Sequence, residues 1–249
     1  MTPRWWRPPD PPLRLGVALA AASGLAGTIL AGWLLTDRLG LGIAYPAVSA
    51  GVFTGAMALA VGAVGAGHPF PRFGPANLVT TLRLLLVALT AGLVVAAGSG
   101  RAAWLAVAAT TLAAALDGID GWLARRSGLS SEFGARFDME ADALLILILA
   151  VLVWTFGKAG SWVLACGFMR YGFVAAGTVM PWMARPLTAT VRGKTVAVLQ
   201  LVGLGAALAP PVTPPASTAV AAIALASLTW SFAVDVGRLW RARDGGRTA

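Results

Sequence analysis

Asp117, Asp120, Asp138 and Asp142 stand together in the middle of a very apolar chain. A carboxylate in hydrocarbon is costly and is rare there unless it is paired or functional. Asp117 and Asp120 are three residues apart and Asp138 and Asp142 four apart, so each pair shares one face of a helix. The short polar loop 126–132 between them makes the two helices antiparallel neighbours. At ~1.5 Å per residue, Asp117 and Asp142 each lie roughly 13 Å inside the loop end of their helix, so four carboxylates can converge at one depth. Four close carboxylates do not all ionise without compensation. Either protons are held, as in a proton relay, or divalent cations are bound. An all-oxygen ligand set favours Mg²⁺, Mn²⁺ or Ca²⁺ over zinc, and two such ions commonly clamp phosphoryl oxygens. Gly121, Ala124 and Gly134 lie on the same faces and would leave room for a bulky substrate. Arg125 adds a cation at the rim that could hold a phosphate.

The elements that must position these residues are set by hydropathy. The chain has 249 residues, of which 58% are hydrophobic and only 12% charged, against about 25% charged in an ordinary soluble domain. Mean hydropathy is +0.78. This composition specifies a polytopic, all-α membrane helix bundle. Apolar runs of roughly 20 residues fall at about 15–36, 43–65, 77–98, 102–125, 133–157, 161–184, 194–210 and 216–237, giving about eight spans. The run after Arg4, Arg7 and Arg14 is longer than the ~7–15 residues of a signal-peptide core and is read as a retained helix.

The net charge of +9 rests on 19 basic residues, 17 of them arginine. Without a soluble domain bearing a basic-aromatic patch, this charge points to anionic lipid headgroups and excludes nucleic acid as the partner. The Arg-rich, Lys-poor usage points to a GC-rich bacterial genome. Basic residues gather on one side of the expected topology: the N-terminus, Arg72, Arg125, Arg126, Arg185, Arg192, Lys194 and the C-terminal arginines. Only Arg38, Arg101 and Lys158 fall on the other. The positive-inside bias then places both termini and the Asp-rich loop in the cytoplasm of a multi-pass cell-membrane protein. The lone Cys166 excludes an intramolecular disulfide and reads as a small buried hydrophobe. The lone His68 has no second His or Cys nearby to make a zinc site.

The eight fixed positions Asp117, Asp120, Gly121, Ala124, Arg125, Gly134, Asp138 and Asp142 fit the pattern D-x2-D-G-x2-A-R-x8-G-x3-D-x3-D without exception. This pattern resembles the signature of the CDP-alcohol phosphotransferase family. The resemblance implies a six-helix catalytic core, here 76–240; the two apolar runs within 1–75 fall outside it and read as an appended two-helix extension, and the basic stretch 241–249 reads as a disordered tail. The resemblance also implies that Asp117, Asp120 and Asp138 bind two divalent cations, Mg²⁺ or Mn²⁺, which hold the diphosphate of a CDP-linked donor. Asp142 would be the general base and also a ligand of the second metal. Gly121, Arg125 and Ser131 would contact the nucleotide-diphosphate end. The stretch Asn77-Leu78-Val79-Thr80 resembles the opening of the family's first core helix, so Asn77 and Thr80 would reach the nucleotide too, and Arg83 fits that helix pattern less specifically. A homodimer is also implied.

One departure from the family is visible. Its usual amphipathic surface helix before the first core span is replaced by a stretch containing Pro69, Pro71 and Pro75, which opposes a helix. The two extra helices would take over anchoring. They carry no intramembrane charge and read as an appendage rather than part of a site.

Arg170 falls mid-span, where an unpaired arginine is costly. It reads as an anion pocket for a phosphate on the acceptor, as the ion-pair partner of a site aspartate, or as a side chain that snorkels to the interface. Arg185 and Lys194 at the cytoplasmic mouth are further acceptor-phosphate candidates. Trp5, Trp6, Phe70, Phe73, Trp182 and Trp240 read as interfacial anchors. The expected activity is transfer of a phosphatidyl group from CDP-diacylglycerol to an alcohol acceptor, with or without a phosphate of its own, with release of CMP, in phospholipid synthesis. The rival class is a cation or proton transporter using the aspartates as an ion site. A membrane prenyltransferase would need two separated Asp-rich motifs, and this chain has one cluster.

Overall fold

The structure, a computed structural model, describes residues 11–185 and 190–244. The expectations for Arg4, Trp5, Trp6 and Arg7, and for the tail beyond Asp244, lie outside the described residues. Among the described residues there is no strand. Eight helices follow one another: α1 (Pro11–Leu39), α2 (Ala44–Gly67), α3 (Pro75–Gly92), α4 (Gly100–Ser127), α5 (Glu132–Thr155), α6 (Ala165–Val179), α7 (Val191–Leu208) and α8 (Ala216–Asp244). Short 3₁₀ turns at Leu93–Ala96 and Ser161–Leu164 extend α3 and precede α6. Seven of the eight helices are long and apolar enough to cross a membrane. The eighth, α5, has 24 residues and is as apolar on average as its neighbours, but its first half concentrates Glu132, Arg136, Asp138, Glu140 and Asp142.

The helix ends follow from local sequence. Gly74, at φ 84°, turns the chain into Pro75, whose missing N–H costs nothing at the first helical position. Ser99 caps α4 by accepting from Ala102 N, and Gly128, at φ 67°, ends that helix in a left-handed conformation open to glycine. Ser131 Oγ accepts from Gly134 N at 3.0 Å and opens α5. Thr190 does the same for α7 through Gly193 N at 3.1 Å. The proline-bearing stretch between α2 and α3 is not helical.

The chain divides into two compact units, residues 1–145 and 146–249. In the first unit α3 is the hub, packed by α1, α2 and α4. Its contact with α4 is lined by a stripe of small buried residues, Ala103, Ala106, Thr110 and Ala113, which lets the two backbones approach. On another side, a side chain at Gly92 would collide with Tyr45 and Ser49 of α2, and Tyr45 Oη donates to Leu89 O at 3.2 Å. The apolar core gathers Val17, Phe53, Met57, Leu84, Phe133 and Phe137 with Phe73. Phe73, expected as an interfacial anchor, is therefore buried, with its ring 6.2 Å from that of Phe133.

In the second unit α6 packs on α8 and α7 on α8. Gly167 of α6 meets Leu147 of α5 so closely that a Cβ there would lie 2.6 Å from Leu147 Cα. Buried Lys158 fastens two loops: its Nζ donates to the carbonyls of Ala209 (3.0 Å), Pro210 (3.4 Å) and Val212 (2.7 Å). Its own carbonyl accepts from Ser217 Oγ (2.6 Å) and Thr218 Oγ1 (3.2 Å). The ammonium supplies donors to carbonyls at the end of α7, where the helix has none of its own to give.

Candidate active site

Three helices of the first unit build the site. Asp117 lies ten residues before the end of α4 and Asp142 ten residues after the start of α5, about 15 Å in each case. The equal depth expected from the spacing is thus realised. Asp117, Asp120 and Asp138 each present a carboxylate oxygen such that these atoms all lie within 4.8 Å of one another. The four aspartates differ in access. The side chain of Asp120 is only 5% exposed, whereas Asp138 and Asp142 are 35% and 31% exposed and Asp117 48%. Asp120 is the buried root of the cluster, and the other three open outward.

The residue that sequence reasoning undervalued is Arg83 of α3. Its side chain is 2% exposed, and its guanidinium sits among all four carboxylates. Nη1 lies 3.1 Å from Asp117 Oδ1, donates to Asp120 Oδ2 at 2.8 Å and also donates to Asp138 Oδ1. Nη2 donates to Asp142 Oδ1, while Nε has no hydrogen-bond partner. A signal for it existed: Arg83 is the one charged residue of α3, and an intramembrane arginine is a functional candidate by default. The same reasoning applies to Arg170, read from the sequence as an anion pocket for an acceptor phosphate or as the partner of a site aspartate.

The donor set fits divalent cations. Oxygen ligands stand ~2.1–2.6 Å from Mg²⁺ or Ca²⁺, so oxygens within 4.8 Å of one another reach one ion with little movement. The guanidinium itself is a stand-in: a single positive group among four carboxylates marks where positive charge is stabilised. One such charge against four leaves a large deficit, which divalent ions would make up.

The remaining first-unit residues surround this centre. Thr80, three residues before Arg83, places Oγ1 3.3 Å from Asp120 Oδ2 and 3.2 Å from Ala76 O. Buried Asn77 donates from Nδ2 to Phe73 O. Its Oδ1 faces Gly134, where an added Cβ would lie 2.8 Å from it and 3.3 Å from Ser131 Oγ. The missing side chain of Gly134 therefore admits Asn77 and Ser131; it does not simply leave substrate room. At Gly121 an added Cβ would meet Arg125 Nη1 at 3.4 Å, so the exposed Arg125 folds back over that glycine. The Arg136–Glu132 pair, at 2.6 Å, is exposed and lies outside the centre.

Arg170, Arg185 and Lys194 belong to the second unit. Arg170 is on α6. Arg185 Nη1 donates to Ala242 O at 2.6 Å, and Lys194 is exposed in the first turn of α7. Their neighbour Arg192 pairs with Asp235 of α8 and lies 5.8 Å from the centre of the Trp230 ring.

Residues 74–233 match the family model described as CDP-alcohol phosphatidyltransferase. No curated protein and no solved structure matches the chain. The matched stretch takes in well over half of the sequence, including α3, α4 and the aspartates of α5, and by it the chain belongs to the CDP-alcohol phosphatidyltransferase family.

Proposed function

We propose that this protein transfers a phosphatidyl group from CDP-diacylglycerol to an alcohol, with release of CMP, as a step of phospholipid synthesis in a bacterial cell membrane. The observation that carries the reading is the convergence of Asp117, Asp120, Asp138 and Asp142 around one buried point. A bilayer-resident donor suits a site to which α3 and α4, both long and apolar enough to cross a membrane, contribute Arg83, Asp117 and Asp120. In this reading Asp117, Asp120, Asp138 and Asp142 hold two divalent cations, Mg²⁺ or Mn²⁺. When bound, these ions neutralise the diphosphate and the charge that develops on the leaving phosphate.

Asn77, Thr80, Gly121, Arg125 and Ser131 form the CDP end. Asp142, partly exposed and therefore reachable, takes the proton from the acceptor hydroxyl. The acceptor oxygen attacks the phosphorus distal to cytidine. A new P–O bond forms, the bridging P–O bond breaks, and CMP departs with the electron pair. Arg170, Arg185 and Lys194 favour an acceptor that carries a phosphate. The catalytic core is 76–240, with 1–75 an anchoring extension, the protein is a homodimer, and the site and both termini face the cytoplasm.

The test is CMP release by the purified chain from CDP-diacylglycerol with a panel of alcohols, with and without phosphate groups. Activity should require Mg²⁺ or Mn²⁺, vanish on chelation and return when the ion is restored. Absence of CMP with every acceptor, alongside cation-dependent flux in vesicles, would replace this reading with that of an ion transporter.

A further inference from the structure

His68 lies just past the end of α2, outside the residues that match the family. It is nonetheless fastened to the start of α5. The ring is buried, edge-on to Phe70 (5.6 Å between centroids) and to Phe133 (5.8 Å). Nε2 lies 2.8 Å from the carbonyl oxygen of Arg72, which can only accept, so in the neutral ring Nε2 carries the proton. Nδ1 is then the acceptor for the Ser131 hydroxyl at 2.9 Å. Ser131 Oγ in turn accepts from Gly134 N at 3.0 Å. The hydroxyl is thus fixed in direction, with its proton committed to His68 and a lone pair to the helix. A second contact brings the same two elements together: a Cβ on Gly67 would lie 3.1 Å from Phe133 N.

We propose that His68 is a positioning residue for the donor subsite. Through it, the N-terminal two-helix segment orients Ser131 and the first turn of α5, beside Asn77. The inference rests on the reading of Ser131 and Asn77 as the CDP end. It gives the extension a part in substrate binding in addition to anchoring.

Two near-isosteric variants separate the ring nitrogens. In His68→Gln the side-chain amide can still donate to Arg72 O, but nothing stands at the Nδ1 position. In His68→Asn the amide oxygen stands near that position and can accept from Ser131. With full-length protein and CMP release as the assay, His68→Gln should raise the donor KM about three- to ten-fold, the value of one lost hydrogen bond, with kcat nearly unchanged. His68→Asn should stay close to wild type. His68→Gln should add nothing in a Ser131→Ala background. An unchanged donor KM in His68→Gln, or equal impairment of both variants, overturns the proposal while leaving the transferase reading intact. A wild-type chain that releases no CMP defeats the transferase reading itself.

A measurement on the unmutated chain guards against variants that fail to fold. His68 is the sole histidine, so ¹⁵N-histidine labelling reports on it alone. The Nδ1 resonance should carry the signature of an acceptor nitrogen and should move on saturation with CDP and Mg²⁺. A resonance indifferent to saturating CDP also overturns the proposal.

Discussion

Arg83 Nη1 and Asp120 Oδ2, 2.8 Å apart with side chains 2% and 5% exposed, form the most enclosed ion pair of the cluster. The same guanidinium serves Asp117, Asp138 and Asp142. One arginine from α3 thus holds together the acidic faces of two other helices, and divalent cations would compete for the same oxygens.

Replacing Arg83 by leucine should therefore destabilise the protein by about 3–5 kcal/mol, the cost of leaving buried charge uncompensated. Thermal unfolding in detergent would show it as a lowered Tm. Mg²⁺ should restore part of the loss in Arg83→Leu and do so more strongly than in wild type. A variant as stable as wild type without added ion would mean that the cluster does not depend on the guanidinium.

Asp142→Asn keeps the size and the hydrogen-bonding oxygen of the side chain but removes its basicity. Turnover should fall by about 10²–10⁴-fold, the usual contribution of a positioned general base. Metal-dependent binding of CDP, read by calorimetry, should survive. Retained turnover would move the role of base to another residue.

Gly134→Ala tests the close approach of α5 to Asn77. The new methyl would sit 2.8 Å from Asn77 Oδ1, so Asn77 must move. A stability loss of about 1–3 kcal/mol, typical of overpacking, and a higher donor KM are expected. The paired measurement is a melting curve alongside CMP-release kinetics. Normal values in both would show that the two helices separate without consequence.

Lys158→Met removes the ammonium that three carbonyls share while leaving most of the aliphatic stem. Each carbonyl left unpaired costs about 1–3 kcal/mol unless water reaches it. The variant should melt at lower temperature yet keep its donor KM, since the Lys158 ammonium donates to loop carbonyls of the second unit. A selective rise in KM with unchanged melting would contradict a purely structural role.

The aspartate pattern was legible in the sequence because spacings of three and four are local properties of a helix. Depth was legible too, since rise per residue is fixed. The identity of the counterion was not. Arg83 is 37 residues before Asp120, and which faces of α3 and α4 meet is decided by the small-residue stripe between them. The link from His68 to Ser131 was hidden for a similar reason. Hydropathy identifies α1 and α2 as long apolar helices, but it does not say where the end of α2 lands. A glycine in a sequence looks like space, but at Gly134 the fold fills that space with the Asn77 amide.

The proline-bearing junction before α3 has a consequence for anyone who dissects this chain. What is inherited and what folds have different borders: the family match begins at residue 74, whereas the compact unit around α3 begins with α1 and runs to residue 145. A truncation made at the first border would cut through the second. It would strip two walls from α3, remove Phe53 and Met57 from the core around Leu84 and Phe137, and leave Ser131 without its histidine. Homology marks where to begin an alignment of this protein, and its packing marks where to begin a clone.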